Sequence, residues 1–227
     1  MLFRSPPDAA HHASRVLRLR EGEPVVLFNG AGGEYAGRIV RLSRDGVTVH
    51  VGAFSPVERE SPLAVTLVQG ISAGDRMDMT IQKAVELGAA AIQPILAERS
   101  VVRLKGERGD SRREHWERVA ASACEQCGRN RVPPIAGAIA VGDYRAPAES
   151  LKVLLSPGAG PTLRSLAIAT GQPVVVAAGP EAGFCPREES MLVAAGFLLV
   201  QLGPRVLRTE TAGLAALAAL NALYGDG

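Results

Sequence analysis

The sequence predicts an α/β protein with a small all-β part ahead of it, and three observations predict this. From residue 63 onward, apolar runs of strand length alternate with segments of helical spacing, as in a mostly parallel sheet covered on both faces. Before residue 60, three short apolar segments are separated by glycine-containing turns, as in an antiparallel meander that closes into a small barrel. Two late apolar runs stop at a glycine-proline pair, at 179–180 and 203–204, where a buried strand gives way to a tight loop. A chain of 227 residues, 47% of them apolar, has the length and core material for two such domains, 1–60 and 61–227.

In the first part, Pro7 at a first helical position and Ala10, Ala13, Val16 and Leu17 at helical spacing predict a short helix over 7–20. Strands follow over 24–28, 34–42 and 47–54, separated by hairpin-type turns at 29–33 and 43–46. Val47, Val49, Val51 and Ala53 alternate with Thr48, His50 and Gly52, so one face is buried. Gly30, Gly32 and Gly33 make a turn and not a phosphate loop, because no helix follows and no lysine closes the motif. Residues 55–62, with two prolines and mixed charges, form the linker.

The second part reads as strand 63–71, helix 75–87, strand 90–96, helix 111–127, strands 151–155 and 173–178, helix 186–195, strand 197–202 and helix 211–224. Ser111 to Glu114 has the form of a capping box. Trp116, Val119, Ala120, Ala123 and Cys127 form one apolar stripe, and Gly128 ends that helix as Gly88 and Gly196 end theirs. The last helix is mostly alanine and leucine, small enough for close approach of the sheet or of a second subunit.

No apolar run approaches 18 residues and no charged-then-apolar leader opens the chain, so a soluble cytoplasmic protein with no membrane partner is expected. Three cysteines argue against a disulfide framework. Cys124 and Cys127 form a C-x2-C inside a helix, but no second pair follows and Cys185 stands alone. Structural zinc needs four ligands, so buried reduced thiols and no metal are expected. His11, His12, His50 and His115 show neither metal spacing nor a Ser-His-Asp context. The net charge is only +2, yet residues 99–131 carry nine Lys or Arg against five Asp or Glu. Such a balance fits a face that meets phosphates, and equally a solvated helix face.

The two glycine-proline loops read GPEAGF at 179–184 and LGPRVLRTET at 202–211. Glycines at strand C-terminal ends let backbone N–H and C=O groups approach a small ligand, although two ordinary strand-to-helix turns have the same pattern. These strings resemble the GPEGGF and LGxRxLRxET loops of the RsmE-type 16S ribosomal RNA uridine N3-methyltransferases, members of the SPOUT superfamily. QKAVELG at 82–88, ERSV at 98–101 and EQCGRNRVP at 125–133 resemble further blocks of that family. His11-His12, residues 16–19 and residues 28–30 resemble its N-terminal pattern, so the similarity runs from about residue 11 to the end.

The resemblance implies a PUA-like barrel followed by a trefoil-knotted α/β domain that binds S-adenosylmethionine; the pattern alone would not suggest a knot, since threaded chains are rare. It implies 16S ribosomal RNA within the 30S subunit as substrate, and a homodimer joined through the knotted domain. Carried over residue by residue, it implies cofactor binding by Leu155, Pro157, Gly179, Pro180, Glu181, Ala182, Gly183, Leu202, Gly203, Val206, Leu207, Thr209 and Thr211. Arg205, Arg208 and Glu210 are the implied catalytic residues, and Arg18, Lys83, Arg99, Gln126, Arg129, Asn130 and Arg131 the implied RNA contacts.

Several of these have plainer alternatives. Arg129 and Arg131 follow a helix end before two prolines, a rigid place to present guanidinium forks to phosphate or to a flipped base, but arginine there can also cap the helix. Lys83 and Glu86, three apart, can be a surface ion pair. Glu181 and Glu210 are the carboxylates of the two loops, and each can serve as a base or as a backbone cap. Ala182 stands where the family has glycine, and Leu2-Phe3-Arg4 leaves a short first strand. These two departures keep open an RNA-binding assembly factor without catalysis. A dinucleotide-binding domain is disfavoured because no G-x-G-x-x-G joins a first strand to its helix.

Overall fold

The computed structural model describes residues 2–4, 19–43, 46–100, 102, 106–158 and 160–226. Most of the helix expected over 7–20, with Arg18, lies outside the described residues. The chain divides into two compact units, Met1–Arg59 and Glu60–Gly227.

The first unit contains β1 (Leu2–Arg4), β2 (Pro24–Leu27), β3 (Glu34–Ser43) and β4 (Gly46–Ser55), an antiparallel sheet in the order β1-β4-β3-β2. The short first strand is a real one: Leu2, Phe3 and Arg4 pair with His50, Val49 and Thr48. Ile39, Val47 and Val49 form the core with Leu19, Val25, Leu27 and Leu42 around them. The expected alternation holds for Val47 and Val49 but ends before Ala53, which is exposed. Gly33 is required where the turn meets β4, because a Cβ there would lie 2.3 Å from the Phe54 ring, and its φ of 67° is left-handed.

The second unit contains β5 (Val65–Gly70), α1 (Asp75–Glu86), β6 (Ala91–Leu96), α2 (Glu107–Cys127), β7 (Ile139–Ala140), β8 (Leu151–Leu155), β9 (Val174–Ala178), α3 (Pro186–Ala194), β10 (Leu198–Val200) and α4 (Thr209–Tyr224). Its six strands are all parallel, in the order β10-β8-β9-β5-β6-β7. The continuous apolar strand β9 is buried at every residue, as expected for a central strand covered on both faces. Three boundaries differ from expectation. α2 begins at Glu107, where Gly106 takes φ 54°, so Ser111 lies inside the helix and its capping-box pattern is not an N-terminus. α4 begins at Thr209, with Arg208 as its N-cap residue, and β10 spans three residues where six were expected. Cys124 and Cys185 are buried as expected, the Cys124 thiol pushed up to about 11 by burial, but Cys127 is exposed at the helix end.

The threading appears at the edge of this sheet. On one side β10 pairs with β8, and Ser156 N–H donates to Val200 O (3.0 Å). On its other side lies the continuation of the same earlier segment. Gln201 N–H donates to Pro161 O (3.0 Å), and Leu163 N–H donates to Gln201 O (3.3 Å). Gly160 permits that approach, since a Cβ there would sit 2.0 Å from Leu199 O. The late chain thus passes between β8 and the loop that follows β8, and Tyr224 at the end of α4 donates its hydroxyl to Leu166 O in that loop. This is the arrangement a trefoil-knotted domain requires.

Candidate active site

The carboxyl ends of β8, β9 and β10 open into a cleft of about 560 Å³. Leu155 and Pro157 come from the end of β8, and Gly179, Pro180, Glu181 and Gly183 from the loop after β9. Leu202, Gly203, Arg205, Val206 and Leu207 come from the loop after β10, and Arg208, Thr209 and Glu210 from the start of α4. Two of the expected residues, Ala182 and Thr211, are exposed and do not line it. Sequence reading missed Arg76, Ser156, Ala178, Phe184, Glu189, Val200 and Ala212. Arg76 carried a usable signal, because it sits in the first turn of the helix after a parallel strand, where ligand-facing groups collect.

The first loop is a tight turn in which Gly183 N–H donates to Pro180 O (2.8 Å). The left-handed residue of the turn is Gly183, at φ 68°, so the alanine at 182 falls one position before the place that needs glycine. A Cβ on Gly179 would lie tight against the turn, 3.1 Å from Gly183 Cα, and Gly70 leaves the room that Pro180 fills, since a Cβ there would lie 2.3 Å from Pro180 N. A buried relay fixes the turn from below. Gln69 Nε2 donates to Thr209 Oγ1 (3.1 Å) and Gly70 O (3.1 Å), while Thr209 Oγ1 donates to Gly179 O (2.6 Å) and lies 3.3 Å from Ser72 Oγ. Gln69, Ser72 and Thr209 are all buried, so each link replaces hydration that is absent there. The Thr209 hydroxyl therefore serves the protein's own backbone.

Three guanidiniums and three carboxylates line the cleft: Arg76, Arg205 and Arg208, and Glu181, Glu189 and Glu210. Only one pair is joined. Glu181 Oε1 accepts from Arg76 Nη1 (2.8 Å) and from Ala73 N–H (2.9 Å). Desolvation raises the Glu181 pKa, but the bonds from Ala73 N–H, its own backbone and Arg76 outweigh that and hold it below the ordinary carboxylate value. A pinned, acidic carboxylate is a poor proton acceptor. Among the described residues, Arg205, Arg208, Glu189 and Glu210 make no side-chain hydrogen bond or ion pair.

The expected RNA contacts lie outside the cleft, and one of them is corrected. Arg129 is 5% exposed and holds Glu60 through Nε (2.9 Å) and Nη2, while Nη1 donates to Val85 O (2.8 Å) and Ala89 O (3.1 Å). A buried guanidinium must have its donors satisfied, and the carbonyls at the C-terminal end of α1 supply the acceptors; Arg129 caps that helix. Asn130 is buried as well. Arg99, Gln126 and Arg131 are exposed, and Lys83 forms the i,i+3 pair with Glu86 at 2.8 Å. Among the described residues, no group of three His, Cys, Asp or Glu is placed to hold a metal, and no helix is long and apolar enough to cross a membrane.

The chain matches the RNA methyltransferase domain family over residues 59–221 and the RNA methyltransferase PUA domain family over 6–52. With the threaded parallel sheet, this defines a SPOUT-type RNA methyltransferase carrying a PUA-like N-terminal unit. It is 32% identical to ribosomal RNA small subunit methyltransferase E of Buchnera aphidicola subsp. Schizaphis graminum, over 95% of this chain and 88% of that protein. With the protein of the same name from Synechocystis sp. it shares 34% identity, over 94% and 70%. A crystal structure of ribosomal RNA small subunit methyltransferase E from Neisseria gonorrhoeae bound to S-adenosyl methionine superposes with a TM-score of 0.91 at 39% identity, covering 100% of this chain and 93% of that one. A methyltransferase of Legionella pneumophila in complex with the same cofactor gives a TM-score of 0.94 at 39% identity, over 100% and 94%. The chain belongs to the ribosomal RNA small subunit methyltransferase E family.

Proposed function

We propose that this protein transfers a methyl group from S-adenosylmethionine to N3 of a uridine in 16S ribosomal RNA of the small subunit. The observation that carries this reading is the single cleft that gathers both glycine-proline loops and the start of α4 at the carboxyl edge of the threaded sheet. Its residues fit the cofactor. A volume of about 560 Å³ suits a ligand of that size, and Leu155, Pro157, Val200, Leu202 and Leu207 offer apolar walls for an adenine ring. Glu189 offers a carboxylate for its cationic groups, and Arg205 and Arg208 offer guanidiniums for its carboxylate. When bound, the cofactor supplies a methyl group activated by a sulfonium.

The chain's own task is to prepare the acceptor. N3 of uridine is a weakly acidic imide nitrogen that must lose its proton before it can react, and the charge then spreads to O2 and O4. Cations placed beside O2 and O4 stabilise that charge. Glu210 is the loop carboxylate left unpaired to accept the proton, since Glu181 is bound to Arg76 and Ala73. RNA contacts fall to the exposed Arg99, Gln126 and Arg131 and to the N-terminal unit. The 30S subunit is the proposed substrate form. α4, with Leu223 47% exposed, is the proposed face for a homodimer in the cytoplasm.

The reading is tested by calorimetry with S-adenosylmethionine, followed by transfer of labelled methyl groups to 30S subunits that lack the modification. Micromolar binding and label in 16S RNA are expected. Cofactor binding without any transfer would instead support an assembly factor. Ala182, which suggested that alternative, lies outside the cleft wall and so no longer favours it.

A further inference from the structure

We propose that Arg76 is a catalytic residue of this site, donating to one of the two uracil oxygens that flank N3 as that nitrogen loses its proton, and that Glu181 is the residue that positions it. The inference rests on the uridine N3 reading above. In the step concerned the N3–H bond breaks, the proton passes to Glu210 or solvent, and the electron pair stays on the ring, spread over O2 and O4. What the step needs is a donor already in place where that charge appears.

Among the described residues, Arg76 alone of the three guanidiniums in the cleft is held by a side-chain partner. It stands in the first turn of α1, a regular helix, whereas Arg205 lies in the loop that leads to α4 and Arg208 at the cap of α4. Val206, between those two arginines, is 79% exposed. The anchor of Arg76 is itself anchored, because the oxygen that accepts its Nη1 also accepts Ala73 N–H, from the connection between β5 and α1. A guanidinium has five N–H donors in a rigid fork, and this one spends a single donor on Glu181; the others remain for a ligand in the cleft it lines. Arg205 and Arg208 would have to lose side-chain freedom on binding, at a cost Arg76 has already met through Glu181. The lowered pKa of Glu181 agrees, since desolvation there is outweighed by bonds that include those from Ala73 N–H and Arg76. Glu181 also draws charge density from the guanidinium, so the benefit of Arg76 comes from fixed hydrogen-bond geometry more than from net charge.

The test uses the full-length protein and the variants R76Q, R76K and E181Q. Removing one preorganised donor is expected to slow single-turnover methylation of 30S subunits roughly 100-fold in R76Q, with a smaller loss in R76K and E181Q. Affinity for S-adenosylmethionine, measured by calorimetry, is expected to stay within about twofold of wild type. The rate of the wild type should rise with pH and level off, and in R76Q the rise should move upward by about one pH unit, because the imide loses a group that stabilises its anion. A readout independent of turnover is the titration of N3 in 15N-labelled uridine RNA bound to the protein with S-adenosylhomocysteine; its pKa should be lower with the wild type than with R76Q. A wild type that methylates, with R76Q equally fast or with an unmoved pH profile, overturns the role of Arg76 alone. Cofactor affinity weakened tenfold in R76Q overturns it in favour of a cofactor contact. A wild type that transfers no methyl group overturns the uridine reading and this inference with it.

Discussion

An arginine joined to a glutamate stands at each end of α1, Arg76 in its first turn and Arg129 against its last carbonyls, and the two pairs do opposite things. At the C-terminal end Arg129, with a side chain 6% exposed, spends its donors on Glu60 and two backbone carbonyls. At the N-terminal end Arg76, 46% exposed, makes one bond to Glu181 and keeps its other donors open to the cleft. The same chemical pair is structural where water is excluded and four of the five donors are spent on fixed acceptors, and available for function where most donors are left over. Arginine next to a loop does not by itself mark a binding site; its unspent donors do.

The two arginines should respond differently to substitution. R129A removes one partner of a buried pair and leaves Glu60 and the α1 carbonyls without donors, so a loss of about 3 kcal/mol in urea denaturation is expected. R76Q should cost under about 1 kcal/mol in the same measurement, since its pair is half-exposed, while its methylation rate falls. The relay beneath the cleft belongs with Arg129 in kind. T209V leaves Gly179 O without its donor and one of the two Gln69 Nε2 N–H groups without its acceptor, and should cost about 2 kcal/mol, and T209S should restore most of it. In the turn above, G183A forces a side chain into φ 68° and should cost about 1 to 2 kcal/mol. A182G should lower stability by no more than about 1 kcal/mol, through unfolded-chain entropy, with cofactor affinity little changed.

The smallest effect sharpens the N-terminal pair. The Glu181 carboxyl lies below its ordinary value of 4.5 in the folded protein, so its contribution to stability is complete above that value and is lost as pH falls through the lower folded one. Because both partners are partly exposed, the difference between wild type and E181Q across this acid window should stay under about 1 kcal/mol.

What was legible in the sequence was local. Apolar runs gave β5, β6, β8 and β9 to within two residues, and glycines with positive φ, such as Gly88, Gly128 and Gly196, marked helix ends. The two loops of the cleft were visible as glycine-proline stops at strand ends. What could not be read depends on partners distant in the chain. Arg129 meets Glu60 across 69 residues, and Gln69 meets Thr209 across 140. Nothing in the local string around Arg129 distinguishes a buried cap from a presented fork. The start of α2 was misplaced because Ser111 to Glu114 satisfies a capping pattern that a helix interior also tolerates. The threading of β10 needed the resemblance, since no periodicity encodes which loop a strand passes through.

A cleft that prepares uridine N3 for methylation is identified by the nucleoside it produces. After incubation of unmodified 30S subunits with the protein and S-adenosylmethionine, the 16S RNA is digested to nucleosides and analysed by mass spectrometry. N3-methyluridine is expected from wild type and from R113A, an exposed control outside the cleft lining, with strongly reduced amounts from R76Q. A methyl group on a ribose oxygen or on another base, or none at all, would contradict it.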